Sequence, residues 1–163
     1  MLRVDQAGEF GETRIYAGQR AIIGDRGPHA RLIARMAAQE DAHRAKFDRM
    51  MIERGVRPTL LAPFWNVAGF ALGAATALMG PDAAMACTAA IETEIDLHYG
   101  EQLDRLGDQD PELSAAIEEF RADEVEHRDT ALASGAENTP GYPLLSAAIR
   151  LGCRAAIALS KRI

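Results

Sequence analysis

The stretch QEDAH, residues 39–43, places Glu40 and His43 three apart, and DEVEH, residues 123–127, repeats the spacing with Glu124 and His127. One Glu-x-x-His pair carries little weight, because any charged helix produces one by chance. The recurrence carries much more. Glu9, Tyr16, Gly24, Asp25 and Pro28 return 83 positions later as Glu92, Tyr99, Gly107, Asp108 and Pro111, and Glu40 and His43 return 84 positions later. One chemical layout is written twice, which predicts two equivalent helical hairpins.

The surrounding sequence favours helix almost throughout. Ala, Leu, Arg, Glu, Ile and Met dominate while β-branched and aromatic residues are sparse, a bias that lowers the cost of helix and not of strand. The turns GDRGP (24–28) and GDQDP (107–111) each end in a proline suited to the first helical position. Helices are expected near 2–23, 28–54, 82–106 and 111–134, with Gly55 and Gly135 as stops, and a last one near 143–162. The predicted organisation is a single all-α domain over 1–163, with hairpins about 2–54 and 82–134 joined by an apolar crossover at 59–81.

In an antiparallel hairpin, residues equally far from the turn lie at equal height. Glu9 and Glu40 stand 15 and 13 residues from the first turn, and Glu92 and Glu124 stand 15 and 14 from the second. Positions i and i+3 share a helix face, so both members of each Glu-x-x-His pair can point inward. Each hairpin should therefore present two carboxylates and an imidazole in one layer. Hairpins packed face to face would gather four carboxylates and two imidazoles, which would resist burial without cations. Two divalent metals resolve that conflict in the manner of di-iron and di-manganese carboxylate bundles. The metal-ligand candidates are Glu9, Glu40, His43, Glu92, Glu124 and His127.

Tyr16 and Tyr99 lie two turns beyond Glu9 and Glu92 on the same face, where they would bond to ligands, line a substrate pocket, or simply be buried against backbone. His98 has no counterpart, since Ile15 holds the matching position; it is a candidate for substrate contact or ligand support. Asp5, Asp96 and Asp123 are candidates to orient the imidazoles. Glu12, Glu53, Glu94, Glu118, Glu119 and Glu126 have no repeat partners and read as solvent-facing or as supports for the ligands.

No residue from Thr59 to Pro81 is charged. The length suits a membrane crossing, yet a single crossing would separate the hairpins and prevent a shared site. The expectation is instead a crossover whose Phe64, Trp65 and Phe70 dip into a membrane interface. Arg150, Arg154 and Lys161 fall within about 40° of arc on the last helix, a stripe suited to anionic lipid; the competing reading is a core helix with an oligomer contact. The net charge of −6 and the lack of a basic cluster in the first two-thirds argue against nucleic acid. MLRVDQAGEFGE is charged from its third residue and reads as no secretory signal. Cys87 and Cys153 sit among apolar neighbours and read as core.

With these features in place, RVDQAGEFGETRIYAGQ, PFWNVAGFALGAATALMG, MACTAAIETEIDLHY, FRADEVEHRDTAL and GCRAAIALSKRI together resemble the demethoxyubiquinone hydroxylases of coenzyme Q biosynthesis over nearly the whole chain. The resemblance implies a ferritin-like four-helix bundle holding two iron ions on the six residues named above. It also implies peripheral attachment to the cytoplasmic face of a bacterial inner membrane, O₂ as co-substrate and a polyprenyl quinone as substrate, with a lipid-binding ubiquinone-biosynthesis protein as partner. No Gly-rich nucleotide fingerprint follows a strand, so any dependence on NADH would involve direct contact with a bound quinone or a separate reductase. The first motif lies almost at Met1, as in short bacterial members. Gln6 stands where many members would carry histidine, beside Glu9 but not at a ligand position. A ferroxidase or peroxide-reducing bundle would share the ligands, and a non-catalytic membrane-associated scaffold would leave them empty.

Overall fold

The computed structural model describes residues 1–162. It comprises six α-helices: α1 (Leu2–Ile23), α2 (Pro28–Glu53), α3 (Ala62–Met79), α4 (Pro81–Leu106), α5 (Pro111–Ala133) and α6 (Tyr142–Ser160), with a 3₁₀ turn at Ala136–Asn138. The described residues contain no strand, so the fold is all-α, the class that a ferritin-like architecture requires. Prolines open α2, α4 and α5, where a missing N–H costs nothing. Asp110 caps α5 through its side chain, which accepts from the Leu113 N–H at 3.1 Å. At the first turn Gly24 ends α1 with φ 74° while its N–H donates to the Arg20 carbonyl at 2.9 Å. Gly107 takes φ 47° at the matching place in the second, a region that residues with a Cβ avoid.

The chain divides into two compact units. The first comprises residues 1–84 with the end of the chain from Ala155; the second runs from Met85 to Arg154. The units thus follow the duplicated hairpins, α1–α2 in one and most of α4–α5 in the other.

In the first unit α1 packs on both α2 and α3. The stretch read as an apolar connection is itself an 18-residue helix, α3, over most of its length. Its Ala-rich composition permits this, and Gly80 ends it with φ 128°. The contact with α1 is made by glycine. A methyl group added at Gly73 would collide with the Ile15 carbonyl, and one added at Gly18 would collide with the Phe70 carbonyl. The two backbones touch, which only residues lacking a Cβ allow. Gln19 is buried and donates from Nε2 to the Ala84 carbonyl at 3.1 Å. Gln6 donates from Nε2 to Asp48 Oδ1 at 2.9 Å, joining α1 to α2. The residue that departs from the family pattern therefore has a defined structural partner.

In the second unit Asp96 of α4 accepts from Arg121 Nε at 2.7 Å and Arg128 Nη1 at 3.0 Å, both on α5. Glu94 joins α4 to α6: it accepts from Arg150 Nε at 2.5 Å and from Arg154 Nε and Nη2 at 2.7 and 2.9 Å. Only 4% of Glu94 is exposed, so this residue is not a solvent-facing carboxylate. Glu12 is likewise buried, whereas Glu53, Glu118, Glu119 and Glu126 face solvent. The helical arc that brings Arg150 and Arg154 together directs both to one buried anion, leaving Lys161 as the remainder of the expected basic stripe.

Candidate metal centre

Each hairpin carries its own triad. On α1, Glu9 lies in a helix that also buries Asp5 and Glu12; on α2, Glu40 and His43 share the buried face with Met36 and Phe47. Ligand atoms of Glu9, Glu40 and His43 lie within 4.8 Å of one another. His43 Nδ1 is 3.5 Å from Glu9 Oε2 and 3.6 Å from Glu40 Oε2. The second triad repeats this construction. Glu92 stands on α4, Glu124 and His127 stand on α5, and their ligand atoms also lie within 4.8 Å. His127 Nδ1 is 3.9 Å from Glu92 Oε1 and 3.3 Å from Glu124 Oε2.

None of the six side chains belongs to a residue more than 3% exposed. Two carboxylates this close, removed from water, repel each other and lose their hydration, and an uncompensated charge is costly there. A single imidazole can take up at most one proton. A divalent cation instead neutralises both carboxylates and accepts the imidazole lone pair, and two oxygens with one nitrogen form a donor set suited to iron, manganese or zinc. The chemistry of each triad thus fits a metal ion. In both, Nδ1 is the imidazole nitrogen that faces the carboxylates.

Around the triads, Tyr16 and Tyr99 are both buried, and the Tyr16 hydroxyl lies 3.9 Å from Met36 Sδ on α2. His98 is largely buried, its ring 6.0 Å from that of Tyr99. Of the three aspartates considered as imidazole supports, Asp5 is buried, Asp123 is half-buried, and Asp96 is held by Arg121 and Arg128. On α3, Phe64 and Trp65 pack edge to face with centroids 4.9 Å apart, and Phe64 and Phe70 are exposed.

Two features escaped the sequence reading. Gln19 and Gln102 also recur 83 positions apart, and both are buried amides; extending the comparison past Tyr16 and Tyr99 would have found them. Glu94 has no repeat partner, so its grip on two arginines was invisible to that comparison. Burial opposes ionisation of Glu94, but the hydrogen bonds and charges of Arg154 and Arg150 together outweigh it and hold the carboxyl below its usual range.

The chain matches the family model described as ubiquinone biosynthesis protein COQ7 over residues 1–160. It is 54% identical to a protein of Rhodospirillum rubrum named 3-demethoxyubiquinol 3-hydroxylase, over 99% of this chain and 76% of that protein. It is 51% identical to the mouse protein named NADPH-dependent 3-demethoxyubiquinone 3-hydroxylase, mitochondrial, over 99% and 76%. To the Saccharomyces cerevisiae protein named 5-demethoxyubiquinone hydroxylase, mitochondrial, it is 40% identical over all of this chain and 77% of that one. With its duplicated Glu-x-x-His helices and a match that runs nearly end to end, the chain belongs to the COQ7 family of ubiquinone-biosynthesis hydroxylases.

Proposed function

We propose that the protein is an O₂-dependent di-iron monooxygenase that hydroxylates the ring of a demethoxyubiquinol while bound peripherally to a membrane. The observation that carries this reading is the buried Glu-Glu-His triad built twice. Glu9, Glu40 and His43 hold one iron ion, and Glu92, Glu124 and His127 hold the other. When bound, the metal pair supplies activation of O₂. In the net reaction one oxygen atom enters a ring C–H as C–OH and the other leaves as water, with two electrons and two protons.

The residues of the chain contribute binding, charge and dryness. The carboxylates neutralise the metals and, being buried, hold them away from bulk water. His43 and His127 act as neutral donors through Nδ1. Tyr16, Tyr99 and His98 line the region where the quinone ring is received. Phe64, Trp65 and Phe70 lie where the polyprenyl tail, too apolar to travel through water, enters from the lipid. α3 and α6 are both long and apolar enough to cross a membrane. Their exposed residues, among them Phe64, Val67, Leu78, Leu144 and Leu151, suit a monotopic contact in the interface. The location proposed is the cytoplasmic face of a bacterial inner membrane, and a homo-oligomer and a lipid-binding protein partner belong to the same reading. The mouse relative's name specifies NADPH, so a nicotinamide nucleotide is the first electron donor to try.

Iron-reconstituted protein given reduced demethoxyubiquinone analogue and O₂ should yield a product heavier by one oxygen atom. Oxidation of added ferrous iron or consumption of peroxide without that product would favour the ferroxidase or peroxide-reducing alternative. Less than one iron per chain after reconstitution would sink the di-iron assignment.

A further inference from the structure

We infer that Arg14 binds the phosphate of an anionic phospholipid at the edge of the apolar face of α3. This rests on the membrane reading and places a cation beside the apolar face of α3. The expected source, the arginines of α6, is committed elsewhere: Arg150 and Arg154 both bind Glu94. Arg3 donates to the Arg57 carbonyl at 2.9 Å, and Arg44 reaches Asp48 at 3.6 Å.

Arg14 is different. Its guanidinium carbon lies 5.5 Å from the centroid of the Phe70 ring. Its Nε–H is shielded from solvent and has no hydrogen-bond partner, and among the described residues no carboxylate stands within ion-pair distance of it. The residue is fixed relative to α3, because a methyl group added at Gly69 would approach the Arg14 Cβ to 3.0 Å. Phe70 is 37% exposed and Phe64 and Val67 are more so, at 59% and 67%; Phe70 thus marks the border of a face that contains no charge of its own. A guanidinium stacked on a ring retains its planar fork of donors, which matches a phosphate in bidentate fashion. An anionic lipid complements both the charge of Arg14 and the apolar surface beside it.

The test is sedimentation of iron-loaded protein with vesicles of phosphatidylcholine alone and of phosphatidylcholine with phosphatidylglycerol. Arg14→Gln should lower partitioning onto the anionic vesicles about fivefold, corresponding to about 1 kcal/mol per cation at such a surface. Binding to the neutral vesicles should be unchanged. Arg14→Lys, which keeps the charge, should retain most of the anionic preference, and equal thermal melting of the two variants guards against a folding defect. If Arg14→Gln binds anionic vesicles like wild type, or loses binding equally to both kinds, the assignment of Arg14 is overturned while the membrane reading stands. If wild-type protein binds neither kind, both fall.

Discussion

In the first unit Glu9, Glu40 and His43 sit on α1 and α2, and α1 is backed by α3 through touching glycine backbones; in the second, Glu92, Glu124 and His127 sit on α4 and α5, and α4 is tied to α6 by a buried ion pair. The donors are the same, the spacing nearly so, and even Gln19 and Gln102 agree. The attachments of the two apolar helices share nothing. α3 is held by shape and α6 by charge. A triad proposed to hold a metal tolerates little variation in residue type, because each donor must reach one ion with the right charge. An apolar helix needs only to be anchored on one face while the other remains available, and close backbone contact and a two-arginine grip both achieve that.

The comparison is broken most severely at the donors. His43→Ala and His127→Ala should each reduce hydroxylation by more than about a hundredfold, beyond the range usual for partners that merely support a ligand, and each should lower bound iron with helicity preserved by circular dichroism. A large inequality between the two variants in iron content would show that the halves are not equivalent. Next in size is the glycine seam. Gly73→Ala inserts a methyl group into the Ile15 carbonyl, and overpacking against backbone should cost roughly 1–3 kcal/mol, read as a fall in thermal midpoint.

Glu94→Gln should have a smaller effect with a distinctive pH dependence. The folded-state carboxyl titrates below its ordinary value of 4.5, so between the two values the unfolded chain binds more protons than the folded one. The stabilisation is therefore fully present above about pH 4.5 and lost as pH falls through the folded value. The difference in melting temperature between wild type and Glu94→Gln should shrink on acidification below that point; a difference independent of pH would deny the charge its role. The smallest change in stability is expected on the outer faces. Phe64→Ser and Leu151→Ser alter exposed side chains and should shift stability by no more than about 0.5 kcal/mol, while weakening sedimentation with neutral vesicles.

Much of this was legible before any coordinates, for identifiable reasons. Helix limits follow from Pro28, Pro111, Gly24 and Gly107, whose effects on the backbone are local. The triads follow from a repeated pattern, and the arithmetic of equal distance from a turn converts residue number into height. Other features depend on residues that are neither neighbours nor repeats. Glu94 and Arg154 lie 60 positions apart, so nothing short-range distinguishes this buried carboxylate from exposed Glu118. Gly18 and Gly73 read as ordinary glycines until α1 and α3 are in contact.

The sequence by itself determined that the protein is all-α, where five of its six helices lie to within a residue or two, and which six residues are its metal-ligand candidates. These rest on backbone preferences and on a pattern that counting exposes. Only the tertiary structure decided that the apolar crossover is a helix seated on α1, that both basic residues of α6 face a buried glutamate, and that Arg14 stands uncommitted beside Phe70. Those outcomes depend on which charges meet once distant segments pack together, and a chain read in order holds no measure of that distance.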